Sequence, residues 1–188
     1  MTPLDRAILA ITQLLESLQI DYAIVGGIAN AVWGEPRATI DVDVTVSVEN
    51  HVLPKTVDAI ASHFRSPVAD IQAFVQQTRV LPLDTEEGVR IDVIFALVPF
   101  EIHAIQRART VPLAGRSVAV VTPEDLVLMK IVSDRPRDLA DAEGLVRRRA
   151  KELDRTYLQP RVYELATLLE RPEIVDRWRR WTSVVEDA

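Results

Sequence analysis

At 188 residues, 48% hydrophobic and 27% charged, the chain is long enough to bury a full core without staples. It contains no cysteine, which excludes disulfides, thiolate metal sites and a cysteine nucleophile, and fits a reducing cytoplasm. The net charge of −6 argues against tight nonspecific binding to nucleic acid. It is unevenly spread: residues 1–100 carry 6 basic and 13 acidic side chains, residues 101–188 carry 16 and 15, so a local basic face in the second half is still available to RNA. The N-terminal stretch has an early acid and no basic region, unlike a signal peptide, and no apolar run approaches the roughly 18–20 residues that span a membrane.

In chain order, Thr2-Pro3-Leu4-Asp5 is a helix start, with Thr as N-cap, Pro at the first helical position and an acid two places later. Leu4, Ile8, Ile11, Leu15 and Leu18 follow at helical spacing, so residues 3–19 read as an amphipathic helix. Tyr22–Val25 is a short apolar strand and hence central. Gly27–Trp33 reads as a helix stopped by Gly34, and Asp41–Val48 as an alternating strand. Helices are expected over 50–64 and Ala69–Gln77, then strands Arg79–Leu83 and Gly88–Leu97 joined as a hairpin. Pro99–Arg107 reads as a helix, and Thr110–Leu113 with Ser117–Val121 as a second hairpin.

Thr122-Pro123-Glu124-Asp125 is another strong N-cap signal. It opens a helix, Asp125–Ser133, apolar almost all round and therefore buried. Further helices are expected from Pro136 to about Leu153, near 157–170, and near 172–185. The expected architecture is α/β (α+β): a core over residues 1–121 with a small mixed sheet flanked by helices, and a helical region over 122–188 packed on it.

The chemistry is concentrated in Tyr22–Val48. Side chains alternate along a strand, so Asp41 and Asp43 point the same way, roughly 6–7 Å apart, opposite Val42, Val44, Val46 and Val48. Two carboxylates side by side repel each other and call for a compensating cation, usually a divalent metal. Upstream, Gly26-Gly27 lies where a strand feeds a helix, and bare backbone N–H groups and the helix dipole there favour a phosphate. Asp92 lies in an otherwise apolar, β-branched strand, opposite the face of Val89, Ile91, Val93 and Phe95. If its strand neighbours that of Asp41, the three carboxylates converge and suit a two-metal site for in-line attack on an α-phosphorus. The plain alternative for Asp92 is a strand-edge acid facing water.

Together these residues resemble the DNA polymerase β-type nucleotidyltransferase superfamily. The matching pattern is Gly26-Gly27, a spacer, Arg37-Ala38-Thr39-Ile40-Asp41-Val42-Asp43, and Asp92 on a later strand. The spacer with Arg-x-Thr, Thr122–Leu126 leading to Lys130, and Arg137-Asp138-Leu139-Ala140-Asp141 look most like the AbiE-type toxins of type IV toxin–antitoxin systems. Many members carry Ser at the second turn position, where this chain has Gly27 and only backbone N–H to offer. The resemblance implies transfer of a nucleoside monophosphate from an NTP to an acceptor hydroxyl on tRNA or protein, with Mg²⁺ held by Asp41, Asp43 and Asp92. It implies nucleotide contacts from Gly26, Gly27, Arg37, Thr39, Lys130, Asp138 and Asp141, a catalytic part for Lys130 in reaching the phosphates or positioning the acceptor, and a cognate antitoxin as partner.

Each of these residues has a plainer reading. Lys130 is the only charge in Leu126–Val132 and by default snorkels to water. Arg137, Asp138 and Asp141 are one helical turn apart and suit a local ion-pair cluster. Arg37 reads as a solvated loop arginine, and Thr39 as a loop cap. Arg147–Lys151 reads as a solvated helix end. Ile174, Trp178, Trp181 and Val185 read as core, and His51, His63 and His103 lack ligand spacing. Two other functions stay open: transfer to a small molecule, as in aminoglycoside nucleotidyltransferases, and a non-catalytic nucleotide-binding or antitoxin-like partner.

Overall fold

The computed structural model describes residues 1–186, and side chains only as far as Ser183. The core role expected of Val185 therefore lies outside the described residues. The chain divides into two compact units: residues 1–28 with 38–121, and residues 29–37 with the segment from Thr122 onward.

The first unit is built on a six-stranded mixed sheet, β1 (Tyr22–Ile24), β2 (Asp41–Val46), β3 (Val80–Asp84), β4 (Arg90–Phe95), β5 (Arg109–Leu113) and β6 (Arg116–Val120). Its order is β3-β4-β2-β1-β6-β5. β1 is wholly buried, as its continuous apolar run requires, between antiparallel β2 and parallel β6. β2 runs parallel to β4, and β3 pairs antiparallel with β4. β5 and β6 form the second expected hairpin, closed by Ala114 and Gly115 with φ of 52° and 79°, the backbone of a type I′ turn.

Helix α1 (Pro3–Ser17) carries the expected capping box: Thr2 N donates to Asp5 Oδ2 at 2.7 Å and Asp5 N to Thr2 Oγ1 at 3.1 Å. It buries Ala7, Ile8, Ile11 and Leu15 and packs against β2. Helices α3 (Leu53–Ala61) and α4 (Ile71–Thr78) pack on β3, and α5 (Pro99–Gln106) packs on β1 and β2. Helix α2 (Gly26–Trp33) begins in this unit and ends in the other.

The second unit gathers α6 (Pro123–Ile131), α7 (Pro136–Arg148), α8 (Arg155–Leu168) and α9 (Glu173–Glu186). α6 is buried almost all round, as its composition requires, and touches the other three. Ile174, Trp178 and Trp181 are buried. α7 stops at Arg148, short of the expected Leu153. Asp154 is the cause, because its side chain accepts from Tyr157 N at 3.0 Å and starts α8. Arg149 leaves the helical conformation and turns inward, donating to the Trp33 carbonyl and stacking 5.3 Å from the Trp33 ring centre. The basic run is thus solvated except at Arg149, which is a packing residue.

Candidate active site

The register of β2 and β4 sets the geometry of the acidic face. Asp43 lies directly beside Asp92, and Asp41 beside Arg90. Val42, Val44, Val46, Ile91 and Val93 are sealed on the opposite face, which fixes the carboxylates on this one. Adjacent strands lie about 4.8 Å apart, so Asp43 and Asp92 are cross-strand neighbours. Thr39 Oγ1 donates to Asp41 Oδ1 at 2.7 Å and orients that carboxylate from two residues upstream.

Two residues that sequence reasoning passed over complete this face. Asp84 stands across β3 from Arg90, and Arg90 Nε donates to its Oδ1 at 3.1 Å. Arg90 Nη1 reaches to 3.7 Å from Asp92 Oδ1. The signal was available: alternation along residues 89–95 puts Arg90 on the side of Asp92, and the hairpin puts Asp84 opposite it. Burial raises the Asp92 carboxyl above its usual value. Arg90 pulls it down, while repulsion from Asp41 and Asp84 adds to the rise.

Gly26 opens α2 with φ +60°. A Cβ there would lie 1.8 Å from Asp43 Oδ2 and 2.6 Å from its Cγ. Glycine is what allows the Asp43 carboxylate to lie over the first turn of α2, where unpaired N–H groups and the helix dipole favour negative charge.

The donor set fits a hard divalent cation. Carboxylate oxygens are its ordinary ligands, and three are presented on one face with Asp43 cradled at Gly26. Among the described residues no three acidic or histidine side chains are drawn into a preformed metal cage. Asp41 is held by Thr39 and Asp92 faces Arg90.

The remaining expected residues form a cluster within the helical unit. Lys130, 5% exposed, donates to Asp138 Oδ1 at 2.7 Å and Asp141 Oδ2 at 2.9 Å. Ser133 Oγ donates to Asp138 Oδ2 at 2.9 Å. Arg37 grips Asp141 as a fork, Nε to Oδ1 at 3.1 Å and Nη2 to Oδ2 at 3.0 Å. Burial pushes the Asp138 carboxyl up, but Lys130, Ser133 and Arg135 outweigh it and hold it below the usual 3.8. Lys130 therefore does not snorkel, and Arg37 is not a freely solvated loop residue. His51, His63 and His103 are exposed.

The sequence matches, over residues 3–187, the model of the family described as nucleotidyltransferase of unknown function (DUF6036), and the chain belongs to that family. No curated protein matches it. Among solved structures it is similar to an antigenic nucleotidyltransferase-like protein from Paracoccidioides brasiliensis, at 22% identity, 94% of this chain, 92% of that one and a TM-score of 0.52. It is similar to the antibiotic-resistance factor ANT(2'')-Ia at 13% identity, 98% and 97% coverage and a TM-score of 0.57. A third is the lincomycin-bound lincosamide antibiotic adenylyltransferase LnuA, at 14% identity, 77% and 96% coverage and a TM-score of 0.51. These likenesses show the nucleotidyltransferase fold, and no described helix is long and apolar enough to cross a membrane.

Proposed function

With membership of a nucleotidyltransferase family as the premise, we propose that the protein moves a nucleoside monophosphate from an NTP to an acceptor hydroxyl with the help of Mg²⁺. The observation that carries this reading is the register of Asp43 beside Asp92, on the face that also presents Asp41, next to the Gly26 turn. Asp41, Asp43 and Asp92 hold the cation, and the first-turn N–H groups of Gly26 and Gly27 hold the triphosphate. When bound, a divalent cation neutralises phosphate charge and stabilises the charge that develops in the transfer. Asp92, whose proton affinity is raised by burial, takes the proton of the acceptor hydroxyl at a carboxylate oxygen. The acceptor oxygen forms its bond to the α-phosphorus as the bond to the pyrophosphate oxygen breaks, and the electron pair leaves with pyrophosphate.

The acceptor is a hydroxyl on tRNA or protein, as the likeness to AbiE-type toxins implies, with a cognate antitoxin as partner. A second reading, transfer to a small cationic molecule, is favoured by one observation. ANT(2'')-Ia, an antibiotic-resistance factor, and LnuA, an adenylyltransferase of a lincosamide antibiotic, match this fold over 97% and 96% of their own chains. The test is incubation with each labelled NTP, Mg²⁺ and, in separate arms, total tRNA, lysate protein or an aminoglycoside and lincosamide panel. Label in tRNA or protein supports the toxin-like reading, and label in a drug supports the second. Asp43→Ala should lower transfer by about a thousandfold or more while the protein still unfolds cooperatively. Retained activity in that variant would sink the metal-site assignment.

A further inference from the structure

Arg90 is bracketed by carboxylates on three sides. Asp84 stands across β3, Asp41 across β2, and Asp92 two residues along β4 on the same face. Asp41 is already engaged by Thr39, so the guanidinium divides itself between the other two, 3.1 Å from Asp84 and 3.7 Å from Asp92. The distances rank the partners: Asp84 is the hydrogen-bonded anchor, and Asp92 receives charge without a hydrogen bond. The position is unusual for an arginine, because a face proposed to bind a divalent cation gains nothing from a fixed positive charge placed against one of its ligands.

We infer that Arg90 is a positioning residue that stands beside Asp92 as an internal counter-ion, and that Asp84 sets how far it gives way to a divalent cation. The inference rests on the metal reading of Asp41, Asp43 and Asp92. Without a cation, Arg90 lessens the repulsion among the carboxylates and keeps Asp92 in its strand rotamer. When a cation arrives, Asp84 offers the guanidinium a place to stay, so Arg90 shifts its hydrogen bonding toward β3 without losing a partner. The two residues therefore act in opposite directions on cation affinity. Removing Arg90 removes a competitor, whereas removing the Asp84 charge leaves the guanidinium to Asp92 alone.

The experiment is a titration with Mn²⁺ alone, read by paramagnetic resonance as the loss of free-ion signal. It is run on the full chain, on Arg90→Ala, on Asp84→Asn, and on Asp43→Ala as the control for the site itself. Arg90→Ala should bind Mn²⁺ about fivefold more tightly than the unaltered protein, and Asp84→Asn about fivefold more weakly, the size expected of one partly exposed charge pair. Arg90→Lys, which keeps the charge but loses the fork, should lie between the unaltered protein and Arg90→Ala. In transfer assays Arg90→Ala should reach half-saturation at lower cation concentration yet have a lower kcat, because Asp92 is no longer oriented. Equal or weaker Mn²⁺ binding in Arg90→Ala, with Asp43→Ala still abolishing binding, overturns the inference and leaves the metal site standing. Unchanged binding in Asp43→Ala overturns the metal reading itself, and this inference with it.

Discussion

The two charged clusters of this protein use the same side chains to opposite ends. In the helical unit, Lys130 and Arg37 face Asp138 and Asp141, two positive groups against two negative, with Ser133 supplying a further hydrogen bond. On the sheet face, Asp41, Asp84 and Asp92 stand around the guanidinium of Arg90, and Asp43 lies beside Asp92. The first cluster is balanced and hydrogen-bonded around a buried lysine, which is the condition under which a charge survives inside a protein. The second is partly exposed and sets three carboxylates, those of Asp41, Asp84 and Asp92, around one guanidinium. Such an imbalance is costly to keep unless something outside the chain supplies the missing charge. Carboxylates alone are thus no guide to a site; the useful distinction is between those whose charge the fold has cancelled and those it has left over.

The contrast breaks most sharply at Lys130. Lys130→Met should destabilise the protein by about 3 kcal/mol, because it removes the buried cation that Asp138 faces, while Asp141 keeps the Arg37 fork. Urea denaturation measures this. A loss under about 1 kcal/mol would mean that the cluster is not a structural pair of charges. On the other side, Asp43→Asn, which keeps an oxygen over the first turn of α2, should move the denaturation midpoint far less. Gly26→Ala comes next in size. Its Cβ would have to displace the Asp43 carboxylate 1.8 Å away, and alanine would be strained at φ +60°. Transfer should fall about a hundredfold, with a stability loss of only about 1–2 kcal/mol. A variant that unfolds but keeps full specific activity in its folded fraction would show that Asp43 need not lie over that turn.

The sheet face was legible in the sequence to the extent that alternation is legible. Val42, Val44 and Val46 on one side of β2, and Ile91, Val93 and Phe95 on one side of β4, told which way Asp41, Asp43 and Asp92 point. Alternation says nothing about which strand lies beside which. The parallel pairing of β2 with β4, which brings Asp43 beside Asp92, is a tertiary fact. Arg90 was passed over because a charge next to a carboxylate looks like ordinary strand-edge polarity until Asp84 is seen across the hairpin. The helical cluster was harder still. Arg37 and Asp141 are 104 residues apart, so no local spacing could reveal that the loop arginine is gripped. Nor could it reveal that Lys130, read as snorkelling or reaching for phosphate, is enclosed by Asp138 and Asp141. The early end of α7 was legible after all, in Asp154 as an N-cap, but the basic run before it looked like a continuing helix end.

The smallest effect is the one that separates the two clusters by sign, and it lies in the acid limb of the stability curve. The Asp138 carboxyl is held below the usual 3.8 when folded, so its ionised form is stabilised by the native state. That contribution is complete above the unfolded value and is lost as pH falls through the lower native value. Asp138→Asn should therefore be less stable than the unaltered protein at pH 7, and the two should converge on acidification below 3.8. The Asp92 carboxyl is raised, burial being the largest cause, so ionising it costs the native state. That penalty is absent below the unfolded value and grows as pH rises from 3.8 toward the higher native value. In chelator, Asp92→Asn should be slightly more stable than the unaltered protein at pH 7, with the gap again closing in acid. Urea midpoints across the acid range and at neutral pH measure both variants together. If Asp92→Asn were the less stable at neutral pH, Arg90 would be balancing Asp92 as fully as Lys130 balances Asp138. The sheet face would then belong with the cancelled charges rather than the ones left over.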